Sequence, residues 1–180
     1  ISVMNYAFYD RAKYLGDSEF FNVPQKILTS KKYAKNIYDR ILKNISPTES
    51  NIIFSESEET THFSVIDKWG NAVSNTYTLN TAYGSGIIPS GTGILMNNEM
   101  DDFSSKPGHP NAYGLVGSEA NKIESNKAPL SSMSPVIVFL KEKPFLVTGS
   151  PGGSTIISTV LQEIITVSYT HLTLPTKVRV

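Results

Sequence analysis

The residue with most chemical promise is Thr60, where a polar acidic stretch gives way to an alternating pattern. An internal threonine hydroxyl is a poor nucleophile because no base is built into it. Cut the chain before Thr60, and its own α-amino group, with an ordinary pKa near ~8, can take the hydroxyl proton. Nucleophile and base then lie in one residue, the threonine counterpart of a serine–base pair. The plain alternative is that Thr60 and Thr61 only open a strand, as β-branched residues do. Local pattern alone favours that alternative, so Thr60 must be weighed with its surroundings.

Three further clusters complement such a nucleophile. Gly152 and Gly153 sit between a strand pattern and an apolar helix pattern. A turn of that kind leaves backbone N–H groups aimed outward, suited to an oxyanion. A phosphate loop would need the Walker lysine and its spacing, which are absent, and Pro151 spoils a nucleophile elbow around Ser150. The run Asn97-Asn98-Glu99-Met100-Asp101-Asp102 concentrates carboxylates beside two amides. It lacks the alternation and glycine of a calcium loop, which leaves a solvated loop or a cradle for an ammonium formed by Glu99 and Asp102. Ser131 and Ser132 offer two hydroxyl donors to a carboxylate; taken alone they read as a serine-rich turn before a strand. His62, His109 and His171 show no metal-ligand spacing, and His62 reads as a strand residue with a satisfied ring.

The elements that must position these residues follow from periodicity. Met4, Phe8, Arg11 and Leu15 fall at helical spacing, with Gly16 as a stop. Tyr33, Ile37, Tyr38 and Ile41 form the stripe of a second helix. Residues 46–59 have linker composition, and an exposed linker is where cleavage is tolerated. From Thr60 the period becomes two. Lys68-Trp69-Gly70 suits a three-residue hairpin loop with a glycine bulge, which pairs Asp67 with Asn71. Counting outward sets Thr60 against Thr78, with His62 and Ser64 on the same face as Thr76 and Ser74. Residues 81–133 read as mostly loop. Ser134 to Leu140 and Pro144 to Thr148 read as a hairpin around Lys141-Glu142-Lys143. Ile156, Ile157, Val160, Leu161, Ile164 and Ile165 mark a strongly apolar helix.

Composition narrows the classes. The 180 residues are 39% apolar and 18% charged, enough for a core, and Lys+Arg and Asp+Glu balance at 16 each. That balance points to neither nucleic acid nor an anionic membrane as partner. No apolar run approaches the ~20 residues that span a bilayer, and the first residues read as mid-chain sequence, not a signal peptide. With no cysteine, thiolate chemistry and disulfides are excluded.

Taken together, these motifs resemble a known family. From Thr60 to about Ile165 the sequence closely resembles the γ-glutamyltranspeptidases of bacterial type, which are N-terminal-nucleophile hydrolases. The resemblance rests on Thr60-Thr61-His62-Phe63-Ser64-Val65, Thr76-Tyr77-Thr78-Leu79-Asn80, Leu95 to Phe103, Pro129 to Pro135 and Thr148 to Gly153, in the family's order and spacing. Residues 1–45, including Asp10-Arg11 and Tyr14-Leu15-Gly16-Asp17, look like the end of the large subunit. The resemblance implies an α+β fold, a partial αββα sandwich of stacked antiparallel sheets between helical layers. It divides the chain into 1–59, ending at the cleavage site; 60–166, the first part of the catalytic small subunit; and 167–180, a tail unlike the family and read as non-native.

The resemblance also implies roles. Thr60 is the nucleophile for self-cleavage after Glu59 and for turnover, with Thr78 hydrogen-bonding to it. Gly152 and Gly153 form the oxyanion hole. Asn80, Glu99 and Asp102 hold the donor's α-amino group, and Ser131 and Ser132 its α-carboxylate. Pro107 to Ser118 looks like a loop over the site, with Tyr113 as its gate. Implied substrates are glutathione and other γ-glutamyl compounds, with water or an amino acid or peptide as acceptor. Two subunits from one precursor and a periplasmic or secreted location are implied as well. No metal or organic cofactor is implied. The sequence departs from the family at Ala128 and Thr155, where arginine is usual. The rival readings are a related acylase acting on glutaryl or cephalosporin side chains, and an inactive fragment or non-catalytic scaffold.

Overall fold

The computed structural model describes residues 1–47, 59–109 and 116–170. The chain forms two compact units, one of residues 1–55 with 99–131, the other of residues 56–98 with 132–180. The spatial division differs from the linear one at the cleavage point, because the acidic segment from Glu99 onward clusters with the N-terminal helices. Residues 110–115 of the expected loop, with its gate Tyr113, most of the acidic linker (48–58) and residues 171–180 of the expected tail lie outside the described residues.

The first unit is helical. Helix α1 spans Ser2–Tyr14, α2 Gln25–Leu28 and α3 Lys31–Leu42. Arg11 and Lys13 occupy the last turn of α1, where positive charge suits the helix dipole. The chain turns extended at Leu15, and Gly16 then passes so near Ala120 that a β-carbon there would stand 2.1 Å from the Ala120 carbonyl oxygen. Ser30 caps α3 by accepting the Tyr33 N–H at 3.1 Å, which satisfies one of the orphan donors of the first turn. The Tyr33 hydroxyl donates to both Asp10 carboxylate oxygens, at 3.0 and 2.9 Å, and so joins α3 to α1. Burial and that carboxylate push the Tyr33 hydroxyl up to about 12. Among the described residues, Tyr6, Phe8, Ile37, Phe103 and Ala120 are the buried apolar residues of this unit.

In the second unit, strands β1 (Thr61–Ile66) and β2 (Ala72–Tyr77) form one antiparallel hairpin, β3 (Val136–Leu140) and β4 (Lys143–Thr148) another. The first hairpin has the expected register: Thr61 faces Tyr77, His62 faces Thr76 and Ser64 faces Ser74. Asp67 N–H donates to Asn71 O at 3.0 Å, and Gly70 takes a φ of 91°. Asp67 also accepts from the N–H groups of Trp69 and Asn71, each at 2.9 Å. The second hairpin corrects the sequence reading. Its loop is Lys141-Glu142 alone, and Lys143 belongs to β4, paired with Leu140. Lys141 and Glu142 both have positive φ, 50° and 65°, the requirement of a tight two-residue turn that matches strand twist. Pro144 supplies no N–H, and the register shifts between Val138 and Phe139, opposite this proline. The first strand also begins at Val136, not Ser134.

The Ser74 hydroxyl donates to Thr148 O at 2.7 Å and accepts the Val136 N–H at 3.2 Å, linking the two hairpins. Helix α4 spans Ile156–Ser168, and its Ile156 and Val160 are buried. Each such side chain contributes about 1.5–3 kcal/mol by leaving water, which anchors the glycine turn ahead of the helix. Residues 81–133 are, as expected, largely irregular among the described residues, with short 3-10 turns at Glu99–Asp102 and Glu119–Asn121.

Candidate functional site

In the second unit, Thr60 is 8% exposed and follows an exposed Glu59. It stands one residue before β1, and Thr78 stands one residue after β2. Continuing the Thr61–Tyr77 register by one step therefore sets the two threonines opposite each other. The Thr78 hydroxyl accepts the Asn80 N–H at 2.9 Å. In the uncut chain no hydrogen bond joins Thr78 to Thr60 among the described residues. Asn80 is buried, takes a left-handed φ of 79°, and donates from Nδ2 to Asn98 O at 3.2 Å. Asparagine tolerates that conformation better than most residues.

The next polar layer of the hairpin is His62. Its Nδ1 lies 2.7 Å from Thr76 Oγ1 and its Nε2 2.9 Å from Ser64 Oγ. The ring is thus satisfied on both nitrogens, in keeping with a strand residue. Gly149 abuts it so closely that a β-carbon there would lie 2.3 Å from the imidazole.

Beyond β4, Gly152 and Gly153 have φ values of 127° and 52°. Both values lie in the left-handed region that glycine enters without strain. No described residue accepts a hydrogen bond from either N–H. Gly152 O accepts from Thr155, by its N–H at 3.0 Å and its hydroxyl at 2.7 Å, which fixes the turn. Ser132, half-buried, accepts the Ser134 hydroxyl at its carbonyl at 3.0 Å.

The first unit holds Glu99, Asp102 and Ser131. Glu99 and Asp102 end one 3-10 turn, and their side chains share a hydrogen bond. Burial, then the Asp102 charge, pushes Glu99 up to about 7. Asp102 is raised as well, by burial first, while the Glu99 hydrogen bond and the Arg11 charge pull the other way. Two carboxylates so close cannot both ionise freely without a cation. Any cation beside them favours their ionised form, as Arg11 does for Asp102. Ser131 is exposed.

Two residues given no role in the sequence reading enter here. Arg11 projects from α1 into a small cavity that Asp102, Ser104 and Asn121 also line. Its positive charge on the apolar stripe of α1 was the signal available. Asn121 is buried and hydrogen-bonds to the Asp102 carbonyl. It lies in an irregular stretch where no periodic pattern marks a polar core residue. Among the described residues, no group of three or more His, Asp or Glu could hold a metal ion, and no helix is long and apolar enough to cross a membrane.

Comparison with known proteins bears on this arrangement. The sequence model of the family described as gamma-glutamyltranspeptidase matches residues 1–179. The glutathione hydrolase proenzyme of Escherichia coli K12 is 57% identical over 165 residues, which cover 89% of this chain and 28% of the relative. That of Pseudomonas aeruginosa is 51% identical over 168 residues, covering 93% and 30%. The chain thus spans under a third of the length of these relatives. Among solved structures, the γ-glutamyltranspeptidase of Helicobacter pylori superposes with a TM-score of 0.60 at 63% identity, over 63% of this chain and 61% of that one. The enzyme of Pseudomonas nitroreducens, in complex with L-DON, gives 0.60 at 58% identity, over 63% and 59%. The α+β architecture with antiparallel hairpins is accordingly that of an N-terminal-nucleophile hydrolase, and the chain belongs to the γ-glutamyltranspeptidase family.

Proposed function

We propose that the protein carrying this chain cleaves the γ-glutamyl amide of glutathione and related compounds through an ester on Thr60. The observation that carries this reading is the placement of Thr60: buried, preceded by an exposed Glu59, and one residue beyond the terminal Thr61–Tyr77 pair of the hairpin, as Thr78 is on the other strand. Self-cleavage comes first. The Thr60 hydroxyl attacks the Glu59 carbonyl, the acyl group shifts from nitrogen to oxygen, and water hydrolyses the ester. The freed α-amino group then serves as base. In turnover it takes the hydroxyl proton as Thr60 Oγ1 attacks the γ-carbonyl of the donor. Gly152 and Gly153 N–H groups steady the oxyanion, and the leaving amine departs with the proton. Water or an acceptor amine, such as an amino acid or peptide, completes the cycle by taking the γ-glutamyl group from Thr60.

In this reading Asn80, Glu99 and Asp102 receive the α-ammonium of the donor, and the Ser131 and Ser132 hydroxyls its α-carboxylate. Two carboxyl groups paired on one short turn suit a zwitterionic γ-glutamyl donor better than a glutaryl one, which has no ammonium. The same reading gives a large and a small subunit from one precursor and a periplasmic or secreted location.

The test is Thr60→Ala in the full-length protein, with amino-terminal sequencing and release of a chromophore from a γ-glutamyl anilide. The unmodified protein should yield a chain beginning at Thr60 and turn the anilide over. The variant should stay uncut and inactive. Normal processing of Thr60→Ala, or turnover of a glutaryl anilide in preference to the γ-glutamyl one, overturns the reading.

A further inference from the structure

We propose that Asn121 is a positioning residue for the donor site, tying the turn that bears Glu99 and Asp102 to the segment that enters Ser131. The proposal rests on the donor-site reading above and adds to it what sets the spacing between ammonium-binding and carboxylate-binding groups. Asn121 Nδ2 donates to the Asp102 carbonyl at 2.8 Å. Its Oδ1 accepts the Leu130 N–H at 3.0 Å, one residue before Ser131. Its own carbonyl accepts the Ser104 N–H at 2.8 Å. One side chain therefore fastens the backbone at Asp102 and the backbone that leads into Ser131.

Asn121 is itself held firmly. It is 6% exposed, and its neighbour Ala120 is fully buried against Gly16. The Asn121 N–H donates to Ser118 O at 3.1 Å. Ser118 Oγ caps the same turn by accepting the Ala120 N–H at 3.3 Å, and donates to Lys13 O at 3.0 Å. The side chain cannot swing to another partner without breaking this packing.

The chemistry of the bridge is specific. It needs a donor towards Asp102 O and an acceptor towards Leu130 N–H, from one short planar group. Aspartate keeps the acceptor but sets an oxygen against the Asp102 carbonyl. Alanine offers neither. A donor zwitterion carries ammonium and carboxylate on the same carbon, so their partners must keep one spacing to within about 0.5 Å. Residues of a fixed spacing act on binding of the two-handed ligand, not on the chemical step at Thr60.

The experiment uses the full-length protein as Asn121→Asp and Asn121→Ala, each checked by sequencing for cleavage before Thr60. Readouts are KM and kcat for a γ-glutamyl anilide and inhibition constants for L-glutamate, glutarate and 4-aminobutyrate. Glutarate lacks the ammonium and 4-aminobutyrate lacks the α-carboxylate, so each engages one half of the cradle. The loss of one buried hydrogen bond should raise KM and the L-glutamate constant by about tenfold in Asn121→Asp, and further in Asn121→Ala. Meanwhile kcat and the constants for the one-handed analogues should hold within about threefold. Unchanged KM in both variants, a fall in kcat alone, or a parallel rise for all three inhibitors overturns the proposal. Should Asn121→Ala fail to fold, the isosteric Asn121→Asp carries the same comparison. Failure of Asn121→Asp to be cleaved also overturns it, because self-cleavage does not use the donor cradle. An unmodified protein inactive on the anilide removes the donor-site reading and this proposal together, an outcome distinct from any variant effect.

Discussion

Glu99 and Asp102 share a side-chain hydrogen bond across a single 3-10 turn, and Arg11 stands beside Asp102 in the same cavity wall. Burial, then the Asp102 charge, lifts Glu99 from its ordinary 4.5 to about 7. The pair therefore holds a proton near neutrality that an isolated glutamate would have lost.

A pH dependence follows from that proton. The folded value lies above the unfolded one, so the native protein binds more protons between 4.5 and about 7. The stability this group contributes is fully present below 4.5 and is lost as the pH rises through about 7. Donor binding at the proposed site should run the opposite way, because an ammonium prefers the ionised pair and expels the proton. KM for a γ-glutamyl anilide should fall as pH rises from about 6 to about 8. Glu99→Gln should flatten that limb and raise KM at the alkaline end. A steep acid limb that survives in Glu99→Gln assigns the titration elsewhere.

Gly152 permits a test of the proposed oxyanion site. Its φ is 127°, and a β-carbon there would meet Thr155 Oγ1 at 2.8 Å. Alanine must therefore twist the turn that carries the two N–H groups. Loss of one oxyanion donor should cost about 10²–10³-fold in kcat, with KM little changed. Pre-steady-state and steady-state kinetics on the cleaved protein would show this; a variant that retains full kcat argues against the turn as an oxyanion site.

Gly16 tests packing rather than chemistry. Its α-carbon passes the Ala120 backbone with no room for a methyl group: the added carbon would lie 2.1 Å from the oxygen and 2.7 Å from the carbonyl carbon. Backbone cannot rotate away as a side chain can. Gly16→Ala should destabilise the protein by about 1–3 kcal/mol, seen as a lower thermal midpoint. An unchanged midpoint would mean that the turn at Ala120 shifts freely.

The first hairpin was legible in the sequence because its instructions are local. Alternation sets the faces, and Asp67 with Gly70 sets the loop, so the register through Ser64–Ser74 and His62–Thr76 followed by counting. Both long helices in the N-terminal segment and the apolar α4 were legible for the same reason. The loop of the second hairpin is shorter by one residue than its sequence suggests, because Lys141 and Glu142 are not the residues that usually announce positive φ. The turn is imposed by the strands that meet there.

Sequence alone therefore determined the motif set, the hairpin that sets Thr78 level with Thr60, and the glycine pair ahead of α4. Each depends on neighbours within a few residues or on a short pairing register. Tertiary structure decided what no local pattern encodes. It grouped Glu99–Ser131 with the N-terminal helices and made Asn121 a bridge from Asp102 to Leu130. It also raised Glu99 to about 7. Burial and long-range hydrogen bonding produce all three, and these depend on which distant segments pack together.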